Sequence, residues 1–394
     1  MLKNKIKKLT EVYYPQLIAI RRFLHTNPEL SFQEKNTSHF LKEKFNQLHI
    51  PYKEYAGTGV VGILQFNDPS SKVVALRADM DALPVFEENE VPYKSITSGV
   101  MHACGHDVHM TCLLGAIFIL NELKGELNGT LKIIFQPAEE KLPGGAKQMI
   151  EEGVLNDPEP SVVIAQHVYP DLPSGTCGFY PGFYMSSSDE LYIKISGKGG
   201  HAALYKNTIN PIYISSSIIN KLHSYAEQLN MDSPGIISIG KIEAHGATNI
   251  IPESVYIEGT VRSFNEQLRK KMHEKIMEIV YDEAEQKGGK AELEIRCGYP
   301  TLYNDPGLTE KLASYASYYL GKEQVHQLAP RMTSEDFAYF ALKKPSVLFR
   351  LGVSDPSKDQ ILPLHSSKFD IHEEALKTGA GLMAYLAYRE LINA

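Results

Sequence analysis

The octapeptide HACGHDVH, residues 102–109, places three histidines, an aspartate and a cysteine within eight positions. Thiolate, imidazole and carboxylate together are the donor set that borderline divalent metals take. Cys104 alone admits other roles: a nucleophile, a redox thiol, a haem anchor or a small buried residue. A Cys-His nucleophile pair fits poorly, because C-G-H spacing does not aim imidazole at sulfur and no acid orienter is in view. Haem attachment and dithiol chemistry need C-x-x-C pairs, and the cysteines at 104, 112, 177 and 297 form none.

More polar residues follow apolar runs. VVALRA leads into Asp79 and Asp81, LKIIFQPA into Glu139 and Glu140, and VVIAQ into His167; beyond VLFRLG comes LHSSKFDIHEE with His365. In open α/β sheets ligands gather outside the carboxyl ends of strands, so these segments are expected to share one edge. One cysteine, one glutamate and three histidines make five candidate ligands. That is more than one ion with an open position needs, and two divalent ions are expected. Glu139 and Glu140 would repel each other at a sheet edge unless a cation neutralises one; the bland alternative is a solvated EEK turn.

Between about 58 and 170, apolar β-rich runs alternate with helical patterns: GVVGILQF, KVVALRA, a helix over 107–123, TLKIIFQ, a helix over 144–152, and SVVIAQH. This is the pattern of an α/β domain with a mostly parallel central sheet flanked by helices. After the Gly/Pro-rich YPGFYMSSS the order becomes strand 189–196, helix 210–230, strands 235–243 and 252–262, helix 265–288, strand 290–297. That is a complete ferredoxin-like βαββαβ unit. A helix over 307–320, the strand SVLFRLG and a closing helix over 372–391 then return to the first pattern. We therefore expect a metal-binding domain of residues 1–184 and 297–394, interrupted by an inserted α+β domain of residues 185–296.

The chain's 394 residues suffice for two cores, with 43% hydrophobic and 22% charged residues. A net charge of −7 argues against a nucleic-acid surface. The longest apolar run, TCLLGAIFIL at 111–120, falls short of the roughly 20 residues of a membrane span and reads as a buried helix. The basic start, MLKNKIKK, reads as short and solvated, without a secretory h-region, so a cytoplasmic protein is expected.

RADMDALP, HACGHD, QPAEE followed by GGA, HVYP, SGKGGHAA, TNIIPESVYIEGTVRSF, TSEDFA and LHSSKFD occur in the order found in the M20 metallopeptidase family. The chain resembles the amidohydrolase branch, with its aminoacylases, hippurate hydrolases, N-acetyl-diaminopimelate deacetylases and plant auxin-conjugate hydrolases. The resemblance runs from RRFLHTNPELSFQE at 21 to the final helix. It implies metal ligands Cys104, His106, Glu140, His167 and His365, with Cys104 bridging. Glu139 would be the general base, and Asp81 a carboxylate orienting a ligand imidazole. Asp79 stands where other branches have a metal histidine. His109 lies outside the family's ligand pattern and reads as a hydrogen-bonded histidine at a helix start. On the inserted domain, His201 would donate to the oxyanion, while Asn249 and Arg262 would bind substrate.

The resemblance implies a homodimer or homotetramer with two divalent ions per subunit, drawn from Mn, Zn, Co and Ni. Its small-molecule substrate would be an N-acyl amino acid, cleaved by attack of a metal-bound hydroxide. The alternatives are an N-acetyl-diaminopimelate deacetylase and, in another class, an inactive metal-binding or scaffold protein. Cys112, Cys177 and Cys297 match no motif and read as structural.

Overall fold

The computed structural model describes residues 2–232, 235–358 and 361–392. They form two compact units, one of residues 1–182, 303–329 and 336–394, the other of residues 183–302 and 330–335. Residues 330–335 thus group with the second unit, although the sequence pattern left them with the first.

Eight strands build the sheet of the first unit: β1 (Tyr52–Tyr55), β2 (Gly59–Gln65), β3 (Val73–Asp79), β4 (Thr130–Gln136), β5 (Val162–Pro173), β6 (Cys177–Phe179), β7 (Val325–Gln327) and β8 (Ser346–Ser354). Their order is β1-β2-β4-β3-β5-β8-β6-β7. The central four, β4, β3, β5 and β8, run parallel. Their residues are almost all buried, as expected of parallel strands covered on both faces. Antiparallel pairing is confined to β1 with β2, β2 with β4, and β6 with β8.

The longer helices of this unit are α1 (Leu2–Thr26), α2 (Lys35–Gln47), α3 (His106–Glu122), α4 (Gly145–Glu151), α5 (Pro306–Leu320) and α6 (Ala375–Ile392), with a single further turn at Ala338–Ala341. The basic start is no loose tail, because it forms the first turns of α1, and Ile6 is fully buried. Helix α3 is buried on every side from His106 to Leu120, which explains why its sequence is apolar without amphipathic rhythm. No helix among the described residues is long and apolar enough to cross a membrane.

In the second unit the strands lie in the order Gly235–Glu243, Ser254–Ser263, Asp189–Ser196, Lys290–Cys297, all antiparallel. Helices Pro211–Asp232 and Glu266–Gln286 complete the βαββαβ order. Leu191, Ile193 and Ile195 alternate inward and meet Ile214, Ile218 and Leu222, which share one helix face at a four-residue spacing. The third strand begins at Ser254 and not at the expected 252, which is a proline without an amide donor.

Helices α3 and α6 pack closely through glycines. A Cβ on Gly115 would lie 2.6 Å from the Ala380 Cβ, and one on Gly379 would lie 2.4 Å from Cys112 Sγ. We expect Gly379→Ala to destabilise the first unit by about 1–3 kcal/mol, the usual effect of overpacking. Adding Cys112→Ala should recover part of the loss. Thermal unfolding of the two single variants and the double variant measures this coupling, and strict additivity would show that the contact does not limit the helix approach.

Candidate metal centre

Pairing of β3 with β5 puts Arg77 opposite Ala165, and pairing with β4 puts Asp79 opposite Gln136. Two residues past the Arg77–Ala165 pair, Asp79 and His167 are therefore level at the carboxyl edge. Glu139 and Glu140 follow β4, and His106 opens α3. Gly105, just before it, is left-handed at φ 82°, and a Cβ there would lie 2.6 Å from a Val168 methyl. Only glycine fits the turn that brings Cys104 and His106 to one place. His365 is also left-handed, at φ 63°, held by its amide donating to the Ala103 carbonyl at 2.8 Å.

These elements bring the five expected ligands together. Cys104 Sγ lies 3.5 Å from His167 Nε2 and 3.3 Å from His365 Nε2. Glu140 Oε1 lies 3.4 Å from His365 Nε2 and 4.0 Å from His106 Nε2. Metal bonds of about 2.0–2.3 Å at tetrahedral angles separate donors by about 3.3–3.8 Å. Cys104 is shared by two donor groups, one with His106 and His167, the other with Glu140 and His365. His106 Nε2 and Glu140 Oε1 are buried without a hydrogen-bond partner, a costly state that a cation between them relieves.

The other imidazole nitrogens fix the tautomers. His106 Nδ1 donates to the Asp81 carbonyl at 2.8 Å, and His167 Nδ1 donates to the Val168 carbonyl at 2.8 Å. Each Nε2 is thereby presented to the cluster, the usual arrangement for a metal histidine. Burial, with Arg350 and two neighbouring imidazoles, holds His167 well below the ordinary histidine pKa and so neutral. Burial alone would also lower His106, but the Asp79, Asp81 and Glu140 carboxylates prevail and raise it to about 10. In the metal-free chain the ring therefore carries a proton on both nitrogens, and Nε2 becomes a donor atom only when a cation takes that proton's place. Burial pushes the Cys104 thiol well up, and Glu140, Glu139 and Asp79 push it further. A nucleophilic cysteine requires the opposite shift.

Asp81 does more than orient an imidazole. Its Oδ1 accepts the Glu139 amide and its Oδ2 the Glu140 amide, each at 3.0 Å, with Ser31 Oγ donating to Oδ2 at 2.6 Å. One buried carboxylate therefore sets the course of the chain through both glutamates, while its contact with His106 runs chiefly through the backbone carbonyl. Glu34 supports the same loop by accepting the Ala138 amide at 2.9 Å.

His201, Asn249 and Arg262 lie in the second unit. His201 is exposed, and its Nδ1 accepts the Ala203 amide at 3.1 Å, which puts the ring proton on Nε2 as a donor. Asn249 is exposed, and its carbonyl accepts the Ala202 amide at 3.0 Å. Arg262 is half-buried with Nη1 unpartnered. Of the cysteines outside the site, Cys112 and Cys177 are buried but Cys297 is exposed, so the structural reading does not extend to it.

Peptidase family M20/M25/M40 matches residues 75–389. The chain belongs to this family. Among similar proteins, thermostable carboxypeptidase 2 of Saccharolobus solfataricus is 39% identical over 393 residues, 98% of each chain. N-acetylcysteine deacetylase of Bacillus subtilis is 36% identical over 385 residues, 96% of this chain and 97% of the relative. The crystal structure of the B. subtilis YXEP protein, described as a dinuclear metal binding peptidase from the M20 family, superposes with a TM-score of 0.85 at 33% identity. It covers 98% of this chain and 99% of its own.

Exposure and charge order the cysteines for alkylation. With the metal-free chain, we expect iodoacetamide to modify Cys297 first, and Cys104, Cys112 and Cys177 only on unfolding, as read by peptide mass spectrometry. Fast labelling of Cys104 in the folded chain would restore the nucleophile reading.

Proposed function

We propose that this M20 member is a metal-dependent amidohydrolase that releases the acyl group from N-acyl amino acids. The observation that carries this reading is the sharing of Cys104 between two donor groups, beside the unpartnered His106 Nε2 and Glu140 Oε1. It supports two divalent ions, held by Cys104, His106, Glu140, His167 and His365, with Cys104 between them. Manganese, zinc, cobalt and nickel all suit such donors. Bound there, the ions would polarise an amide carbonyl and make water more acidic.

The chain's own residues do the rest. Glu139, its backbone fixed through Asp81, takes the proton of the attacking water and delivers it to the leaving amine. His201 offers Nε2–H to the carbonyl oxygen as it gains charge. Arg262, with an unpartnered guanidinium nitrogen, suits the carboxylate of the released amino acid through its planar fork, and Asn249 supplies a neighbouring polar group. A carboxypeptidase and an N-acetyl amino-acid deacetylase among the relatives have one bond in common, an amide whose nitrogen belongs to an amino acid, and this supports the substrate class.

The second unit is proposed as the lid and as the surface of a homo-oligomer, supported by its outer strands Gly235–Glu243 and Lys290–Cys297, each paired on one side only within its sheet. Four free cysteines support a cytoplasmic setting.

The decisive assay offers metal-reconstituted protein a panel of N-acetyl, N-benzoyl and longer-chain N-acyl amino acids and measures free amine. Glu139→Gln should lower kcat at least about a hundredfold. Elemental analysis should find its metal content unchanged, and metal loss alongside activity would show that Glu139 and Glu140 have exchanged roles. His201→Ala should also retain metal while kcat falls about 10²–10³-fold, the effect of losing one oxyanion donor. An unchanged kcat would remove His201 from the reaction.

A further inference from the structure

Asp79 and His109 are buried among the metal donors, yet each is tied to other partners. His109 Nδ1 donates to Asp79 Oδ1 at 2.5 Å, and His109 Nε2 accepts the Val168 amide at 2.9 Å. The second oxygen of Asp79 accepts from Arg77 Nη1 at 2.7 Å. Both fall within ligating distance of His106, and Asp79 Oδ2 lies 3.8 Å from His106 Nε2, yet the closer partners of both residues lie behind the ligands.

What they hold is Val168. Pairing of β3 with β5 ends at Arg77 and Ala165, and Val168, three residues further on, meets imidazoles where a strand would otherwise lie. Its amide goes to His109, and its carbonyl takes the Nδ1 proton of His167. That bond leaves His167 Nε2 with a lone pair 3.5 Å from Cys104 Sγ. The geometry assigns Asp79 and His109 as positioning residues for His167: the carboxylate fixes the His109 tautomer, that tautomer anchors Val168, and Val168 fixes the orientation of the ligand ring. This inference rests on the metal-centre reading above. It also accounts for an aspartate at position 79. A carboxylate there can accept from Arg77 and His109 at once, whereas an imidazole would face two donors.

The substitutions separate positioning from packing. His109→Gln keeps an acceptor for Val168 and a donor for Asp79, while His109→Leu keeps only apolar bulk. Asp79→Asn turns its amide nitrogen toward either Arg77, a donor, or His109, whose tautomer would then oppose the Val168 amide. Full-length metal-free protein is titrated with Co²⁺, with thiolate-to-cobalt charge-transfer absorption reporting ligation, and each metal-free variant is melted in parallel. His109→Leu and Asp79→Asn should weaken Co²⁺ binding about 10–100-fold, the usual effect of losing a partner behind a metal ligand. His109→Gln should stay near wild type.

Wild-type Co²⁺ affinity in a folded His109→Leu or Asp79→Asn variant, with only the melting temperature lowered, would overturn the assignment. If His109→Leu does not fold, Asp79→Asn against His109→Gln decides by the same ratio. Wild type is read first. Absence of its thiolate-to-cobalt band overturns the metal-centre reading and this inference together, whereas a normal wild-type band with unaffected variants overturns this inference alone.

Discussion

Carboxylates concentrated at the buried carboxyl edge of a parallel sheet set the terms for the rest of the first unit. Asp79 and Asp81 are almost completely buried, Glu139 nearly so, and Glu140 half-buried beside Cys104. Buried charge is tolerated only where it is paired or hydrogen-bonded. Asp79 is answered by Arg77 and His109, and Asp81 by two amides and a hydroxyl. Among the described residues Glu140 Oε1 has no hydrogen-bond partner, only His365 Nε2 at 3.4 Å. The imbalance falls where the candidate ligands converge.

Two buried networks carry this arrangement into the scaffold. Arg77, in the middle of the sheet, donates to Gln136, Asp79 and Asp336, and Asp336 in turn accepts the Ala146 amide at the start of α4. Strands β3 and β4 and helix α4 are thus fixed relative to one another by one guanidinium and the carboxylates around it. On the other side, Arg21 and His25 of α1 reach Asp107 at 2.9 Å and 2.8 Å, and Arg21 also reaches Asp370 at 2.8 Å. Asp107 follows His106 directly. The first helix therefore anchors the turn of α3 that presents the ligand, which gives the amino-terminal segment a part in the site.

That Glu139, Glu140 and His167 share one edge was legible because each follows an apolar run and parallel strands deliver their ends together, whereas the choice of Cys104, His106, Glu140, His167 and His365 as the ligand set came from the resemblance to the M20 family. The βαββαβ order was legible from alternation and helical spacing, as in Leu191, Ile193 and Ile195. Less accessible were bonds between residues far apart in the chain. Nothing in RADMD tells that Asp81 holds the amides of Glu139 and Glu140, or that Arg77 finds Asp336. A signal existed in Arg77 itself, a charge inside an otherwise buried strand, which demands a partner without naming it. Short strands such as Cys177–Phe179 and Val325–Gln327 escaped because three residues carry no period.

The same electrostatics decide between the roles open to Cys104. A catalytic thiolate needs cations or helix dipoles close by and carboxylates at a distance. Here Glu139, Glu140 and Asp79 surround a buried sulfur and hold its proton on. The two imidazoles nearest the sulfur are poorly suited to act as its base: burial, with Arg350 and neighbouring imidazoles, holds His167 well below the ordinary histidine pKa, and His365 lies about equally close to Glu140. A thiolate becomes favourable at this position only when positive charge sits against it, between the sulfur and the carboxylates. Divalent cations coordinated by that sulfur meet the condition, and so the residue least suited to act as a nucleophile in this environment is well suited to act as a ligand.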